Sequence, residues 1–87
     1  MYYKSHRSIV STQIGDTTAL FNPETCEYLM LNDVSSLIWL ELESRNTVEA
    51  IAAKVVDNFD VDYELSFNDV TEWILSAISF NIVFAID

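Results

Sequence analysis

Few side chains in this sequence are able to do covalent or acid–base chemistry. His6 is the only histidine and lies in a basic N-terminal stretch, where we expect a flexible, solvated side chain rather than an oriented general base. Cys26 is the only cysteine, and its neighbours Glu24 and Glu27 supply negative charge where a reactive thiolate needs positive charge. One cysteine excludes an internal disulfide, and one Cys with one His is a poor ligand set for zinc. The sequence therefore predicts no catalytic residue.

Residues 57–64, DNFDVDYE, cluster the carboxylate and amide oxygens that a cation could use. A calcium loop also needs a glycine for its sharp turn and a later bidentate Glu, and neither falls in place. Gly15 is the only glycine in the chain, so no glycine-rich loop is available to hold a phosphate. We expect a solvated acidic connection here, no metal site and no cofactor.

The charge balance restricts the kind of partner. The chain carries 14 acidic residues and 4 Lys or Arg, for a net charge of −10. Affinity for nucleic acid depends heavily on Lys and Arg neutralising phosphates, so a duplex partner is disfavoured and a basic or neutral partner is favoured. No apolar run reaches the ~18 residues of a membrane span, and the N-terminus lacks the apolar stretch of a signal peptide. We therefore expect a cytoplasmic protein.

Three strands are predicted in the first third of the chain, at residues 9–13, 17–22 and 26–31. Gly15-Asp16 and Asn22-Pro23-Glu24-Thr25 form turns between them, and the proline stands at the position where a φ near −65° fits. Short turns between successive strands indicate an antiparallel meander.

Three helices are predicted after the strands, because the apolar spacing changes from two residues to about 3.6. Asn32 and Thr47 are good N-caps for the first and second helices. Ser66 opens a capping-box pattern, which predicts a third helix over about 67–80, and Asn81 suits the left-handed conformation that ends it. An extended tail follows at 82–87. Three strands before three helices predict an α+β domain with helices on one face of the sheet, in one domain spanning 1–87.

The third predicted strand is apolar on both faces. Tyr28 and Met30 point to one side, and Leu29 and Leu31 point to the other, whereas a strand in a small domain normally has one wet face. Which pair faces the core is left open by the sequence. If this strand is also a sheet edge, its free N–H and C=O groups offer a template for a further strand.

The third predicted helix is apolar over more than one side. One side carries Phe67, Val70, Ile74 and Ile78, and an adjacent side carries Trp73, Ala77 and Phe80. We expect Trp39 of the first helix to pack in the core, whereas Trp73 suits the core and a groove equally. If the strand and the helix run side by side, their leftover apolar surfaces form a cleft, and such clefts usually mark binding sites. A strand edge beside a cleft is suited to capturing a peptide by strand addition.

Several segments in this order resemble the PqqD-like proteins, the recognition elements for precursors of ribosomally synthesised and post-translationally modified peptides (RiPPs). The segments are ETCEYLMLNDV at 24–34, LIW at 37–39, TVE-x-I at 47–51, FDV at 59–61 and NDV at 68–70. The resemblance covers about residues 17–84. It implies a winged helix-turn-helix-like fold that binds the leader region of a precursor peptide as a strand beside the third strand and against the third helix. The peptide-binding residues that it implies are Cys26, Glu27, Tyr28, Leu29, Met30, Leu31, Asp69, Val70, Trp73, Ile74 and Ala77.

The resemblance also implies a pathway. Stand-alone proteins of this size work in lasso peptide biosynthesis with a separate leader peptidase and a cyclase, and this is the pathway that we favour. A chaperone for the precursor of pyrroloquinoline quinone is one alternative. A winged-helix DNA-binding regulator is another, although the second helix offers only Lys54 as a base and the third offers none. A homodimer formed through the exposed strand edge also stays open.

Overall fold

The computed structural model describes residues 1–86, which form five strands and three helices. Asp87, the last residue of the predicted extended tail, lies outside the described residues. In chain order the elements are β1 (Tyr2–Ser5), β2 (Val10–Ile14), β3 (Thr17–Asn22), β4 (Glu27–Leu31), α1 (Asp33–Glu41), α2 (Val48–Asn58), α3 (Tyr63–Ser79) and β5 (Val83–Ile86). The predicted α+β fold, with a three-stranded antiparallel sheet followed by three helices, is confirmed.

The three predicted strands form the antiparallel sheet β2-β3-β4. The strand predicted at 17–22 has those bounds, and the one predicted at 9–13 is shifted by one residue. The strand predicted to start at Cys26 starts at Glu27 instead, because Cys26 has a φ of 60° and belongs to the turn. The amide of Cys26 donates to the carbonyl of Asn22 at 2.7 Å, and this hydrogen bond closes the turn.

A second, two-stranded sheet joins β1 to β5 and was not predicted. The two strands are antiparallel, with Tyr3 opposite Ala85 and Ser5 opposite Val83. The expectation of a flexible, solvated His6 side chain is therefore wrong. His6 is half-buried, its ring lies 4.9 Å from that of Phe84, and its amide donates to the carbonyl of Ile82 at 2.9 Å. The basic stretch is thus part of the folded structure.

The first two helices begin at the predicted caps. The Asn32 side-chain oxygen accepts from the amide of Ser35 at 2.8 Å, and the Thr47 hydroxyl accepts from the amide of Ala50 at 3.2 Å. Each bond satisfies one of the amides that a helix start leaves without a partner. The strand-to-helix step at Asn32 therefore fixes where α1 leaves the end of β4.

The third helix starts four residues earlier than predicted. Asp62 is its N-cap, and its carboxylate accepts from the amide of Leu65 at 2.8 Å. Ser66, the predicted cap, lies inside the helix with 1% exposure, and its hydroxyl donates to the carbonyl of Ala52 in α2 at 2.9 Å. Part of the predicted acidic connection is consequently the first turn of α3. The helix ends as predicted, with Asn81 at a φ of 60°.

Replacing Asp62 with Ala is expected to lower the free energy of unfolding by about 0.5–2 kcal/mol, because the first turn of α3 loses its side-chain acceptor. Urea unfolding followed by circular dichroism measures this. Asp60→Ala is the matched control, since Asp60 is exposed, lies just outside the helix and makes no capping bond. An equal loss in both variants would contradict the assignment of the cap.

One hydrophobic core joins the sheet to all three helices. Its buried members are Ile9, Leu20, Leu31, Ile38, Trp39, Leu42, Val48, Ile51, Ala52, Val55, Val70, Ile74, Ala77, Ile82 and Val83. Trp39 lies among them at 3% exposure, which confirms its predicted core position. The core holds α3 against β5 and α1 against β3 and β4. No helix in the described part of the chain is long and apolar enough to cross a membrane.

Candidate functional site

The structure shows which face of β4 meets the core. Leu31 is buried at 4% exposure. Leu29 is 41% exposed but stands opposite the buried Leu20 of β3, so the two leucines share the face that is turned toward the core. Tyr28 and Met30 lie on the outer face and are 74% and 61% exposed. The Tyr28 ring contacts that of Phe21, its partner across the strands, with centroids 4.6 Å apart. The question of which pair faces inward is thereby answered in favour of the two leucines.

β4 is an edge of its sheet. In the order β2-β3-β4, the described residues pair with only one side of β4, namely through β3. The N–H and C=O groups of alternate β4 residues therefore point away from β3 and have no partner strand among the described elements. Such an edge can accept an added strand.

An apolar groove runs between β4 and the C-terminal half of α3 and contains two cavities. The first has a volume of about 90 Å³, and its walls include Ile9, Leu20, Glu27 and Tyr28. The second has a volume of about 300 Å³, and its walls include Met30, Asn32, Trp73, Ser76 and Ala77. Leu29, Phe80 and Ile82 line both cavities. The two cavities therefore adjoin, with Leu29 and Phe80 between them.

The predicted strand residues divide by position. Glu27, Tyr28, Leu29, Met30 and Leu31 each line at least one of the two cavities. Cys26 does not. It is exposed in the turn before β4, and its thiol lies 3.9 Å from the carbonyl oxygen of Pro23. We therefore place Cys26 at the end of the groove and outside its walls.

The predicted helix residues divide more sharply. Trp73 is half-buried and Ala77 is buried at 3% exposure, and both line the second cavity. Asp69 is exposed, one turn before Trp73. Val70 and Ile74 are core residues at 1% exposure each and line neither cavity. These two side chains lie on the face of α3 that packs against the core, and they hold the helix in place.

Several groove residues were missed by the sequence reasoning. Phe80 is 62% exposed and separates the two cavities, and the apolar pattern had placed it on the same side of the helix as Trp73. That pattern was sufficient to include it. Ile82 gave no such signal, because its position depends on the left-handed turn at Asn81. Ser76 lies one step from Ala77 and could have been found from the helical spacing.

The groove walls present mainly surfaces that suit binding. They carry one carboxylate, that of Glu27, and no Lys, Arg or His. Within residues 1–86, no group of three or more His, Cys, Asp or Glu side chains is placed to hold a metal ion. The groove thus combines apolar recesses, polar groups at its rim and an unpaired strand edge.

Fold and groove together define a small α+β domain of winged helix-turn-helix-like type, with an open edge strand beside its last helix. The chain belongs to the PqqD family. The family model described as coenzyme PQQ synthesis protein D matches residues 17–79. The predicted resemblance is thereby confirmed.

Two solved structures share the fold over nearly the whole chain. One is described as TbiB1 in complex with the TbiA(beta) leader peptide; it is 24% identical with a TM-score of 0.87, covering 97% of this chain and 98% of that one. The other is described as lasso peptide synthetase B1 complexed with the leader peptide; it is 18% identical with a TM-score of 0.83, covering 95% and 98%. A search of the curated proteins found no match.

Proposed function

We propose that this protein binds the leader region of a ribosomally synthesised precursor peptide and takes no part in catalysis itself. The observation that carries the proposal is the unpaired edge of β4 beside the two-cavity groove against α3. Membership of the PqqD family supports it, as do the two similar structures, which are complexes of other proteins with leader peptides.

In the proposed complex, the leader extends the sheet as a strand beside β4. Main-chain hydrogen bonds to the free edge supply affinity, and the recesses select side chains. Every second side chain of an extended peptide points to the same face, so leader residues of even spacing would face the two recesses beside Leu29 and Phe80. Leader specificity therefore resides in apolar side chains of even spacing.

The pathway that we favour is lasso peptide maturation in the cytoplasm. There the bound precursor would be delivered to a separate leader peptidase and a cyclase. The support is the similarity to a lasso peptide synthetase B1 over nearly the whole chain. The family description names instead the synthesis of coenzyme PQQ, so a chaperone for that precursor is the alternative. A short precursor gene beside peptidase and cyclase genes would decide between them.

Titrating the ¹⁵N-labelled protein with the leader encoded beside its gene tests the proposal. We expect binding in the micromolar range or tighter, which corresponds to about −8 kcal/mol or better. Hydrogen exchange should slow at alternate amides of Glu27–Leu31, because only every second N–H faces the incoming strand. The amides of Val10–Ile14, on the opposite edge of the sheet, serve as the internal control. If no leader from the neighbouring genes changed the amide spectrum, the proposal would be abandoned.

A further inference from the structure

Two exposed carboxylates extend the groove face of α3 toward the start of the helix. Trp73 and Ser76 line the second cavity, and Asp69 and Glu72 each stand four residues before one of them. Side chains four apart on a helix lie on the same face, with about 5–6 Å between their Cβ atoms. Asp69 and Glu72 therefore lie on the same side of α3 as the two lining residues, one turn closer to the start of the helix, although neither lines a cavity.

The Lys and Arg side chains of the described chain lie away from the groove. None of the four Lys and Arg residues lines either groove cavity. Lys4 and Arg7 line a separate cavity with Trp39, and the guanidinium of Arg45 lies 5.0 Å from the centre of the Tyr2 ring. Lys54 is exposed on α2, and α3 has no base at all. The negative charge at the Trp73 end thus has no counter-charge along its own helix.

Both acidic and basic residues lie near the other end of the groove. Glu27 lines the first cavity, but Ile9 and Ile82 of the same cavity adjoin the basic N-terminal stretch. Ile9 also lines the cavity that contains Lys4, His6 and Arg7, and the His6 amide bonds to the carbonyl of Ile82. Charge along the groove is therefore asymmetric, with a purely acidic rim only beside Trp73.

We propose that the Trp73 end of the groove binds a Lys or Arg side chain of the peptide, between the carboxylates of Asp69 and Glu72 and beside the indole of Trp73. This inference rests on the proposed function and adds the charge of the ligand to it. A cation is attracted both by carboxylates and by the face of a tryptophan ring. Because the other end is mixed, the cationic residue also fixes the direction of the bound peptide along the groove.

Panning a phage-displayed library of random dodecapeptides on the immobilised protein tests this inference without knowledge of the natural leader. The selected peptides should carry apolar residues at even spacing, with Lys or Arg enriched on one side of them. Panning on the double variant Asp69→Asn, Glu72→Gln should retain the apolar residues and lose the enrichment. The control is Glu49→Gln, Asp57→Asn, which also removes two negative charges but on exposed positions of α2 away from the groove.

Affinity of one selected peptide supplies the second readout. The Asp69/Glu72 double variant should bind it about 1.4- to 5-fold more weakly per lost ion pair, the range for exposed pairs. Raising the salt from about 20 mM to about 300 mM should weaken binding to the natural protein more than to that variant.

The outcomes separate the two proposals. Apolar peptides with no Lys or Arg preference, or an equal preference in the double variant, would overturn the inference and leave leader binding intact. Selection of no apolar peptide at all would overturn the proposed function and this inference with it.

Discussion

Replacing Trp73 with Ala is expected to weaken leader binding tenfold or more. Trp73 is half-buried, packs against the core on one side and lines the second cavity on the other, so a bound peptide would complete its burial. Truncating a tryptophan that acts as a binding hot spot costs about 2 kcal/mol or more, and about 1.4 kcal/mol corresponds to a tenfold change in affinity. Fluorescence anisotropy of a labelled leader measures the loss.

Leu75→Ala is the matched control for the Trp73 substitution. Leu75 lies on the same helix at 59% exposure and lines neither groove cavity, so its truncation should leave the affinity unchanged. Urea unfolding of both variants shows whether the fold is retained. An unchanged affinity in Trp73→Ala, accompanied by a large loss of stability, would place this side chain in the core alone and contradict the groove assignment.

Replacing Ile74 with Ala should have the opposite effect, although Ile74 is the next residue on the helix. Its side chain is 1% exposed in the core, and truncating such a residue typically lowers the free energy of unfolding by about 2–5 kcal/mol. The leader affinity of the molecules that remain folded should be unchanged, because Ile74 lines neither cavity. Urea unfolding gives the stability, and a leader titration well below the melting temperature gives the affinity.

Ile74→Val is the graded control, with an expected loss of about 0.5–1.5 kcal/mol. A stable Ile74→Ala variant with tenfold weaker binding would mean that the helix presents a different face to the ligand. Read together, Trp73 and Ile74 determine the rotation of α3 relative to the groove.

The parts of the fold that the sequence predicts well are those set by neighbouring residues. Asn32 and Thr47 each place a side-chain acceptor beside the amides that need one, so both helix starts follow from a few residues of sequence. The bounds of β3 follow from the turns on either side of a β-branched and apolar run. These signals are local, and tertiary contacts do not compete with them.

The parts that escape prediction depend on contacts between distant residues. The pairing of β1 with β5 joins residues some eighty positions apart. Each of these strands has only four residues, which is too short for a recognisable alternation of apolar and polar residues. The start of α3 was predicted from the capping-box pattern at Ser66, whereas the cap is Asp62. Contact with α2 accounts for the difference, because Ser66 is buried where its hydroxyl reaches the carbonyl of Ala52.

The candidate site was predictable as a pair of surfaces and not as a residue list. Apolar residues on both faces of β4 indicated a strand with a second role, and the wide apolar side of α3 indicated its neighbour. On α3, the helical pattern and the resemblance placed the line between core and groove differently. The helical pattern separated Val70 and Ile74 from Trp73 and Phe80, whereas the resemblance implied Val70 and Ile74, and not Phe80, as ligand contacts. That line depends on how far the helix is rotated against the sheet.

The position of Ile82 links occupancy of the groove to folding of the whole chain. This side chain belongs to the buried core and lines both cavities, and its carbonyl accepts the amide of His6. A ligand that binds only when this junction is assembled shifts the folding equilibrium by mass action, by about 2.7 kcal/mol at a free concentration one hundred times its Kd. The thermal unfolding midpoint would then report how much precursor is bound, and a saturated protein would resist unfolding more than an empty one.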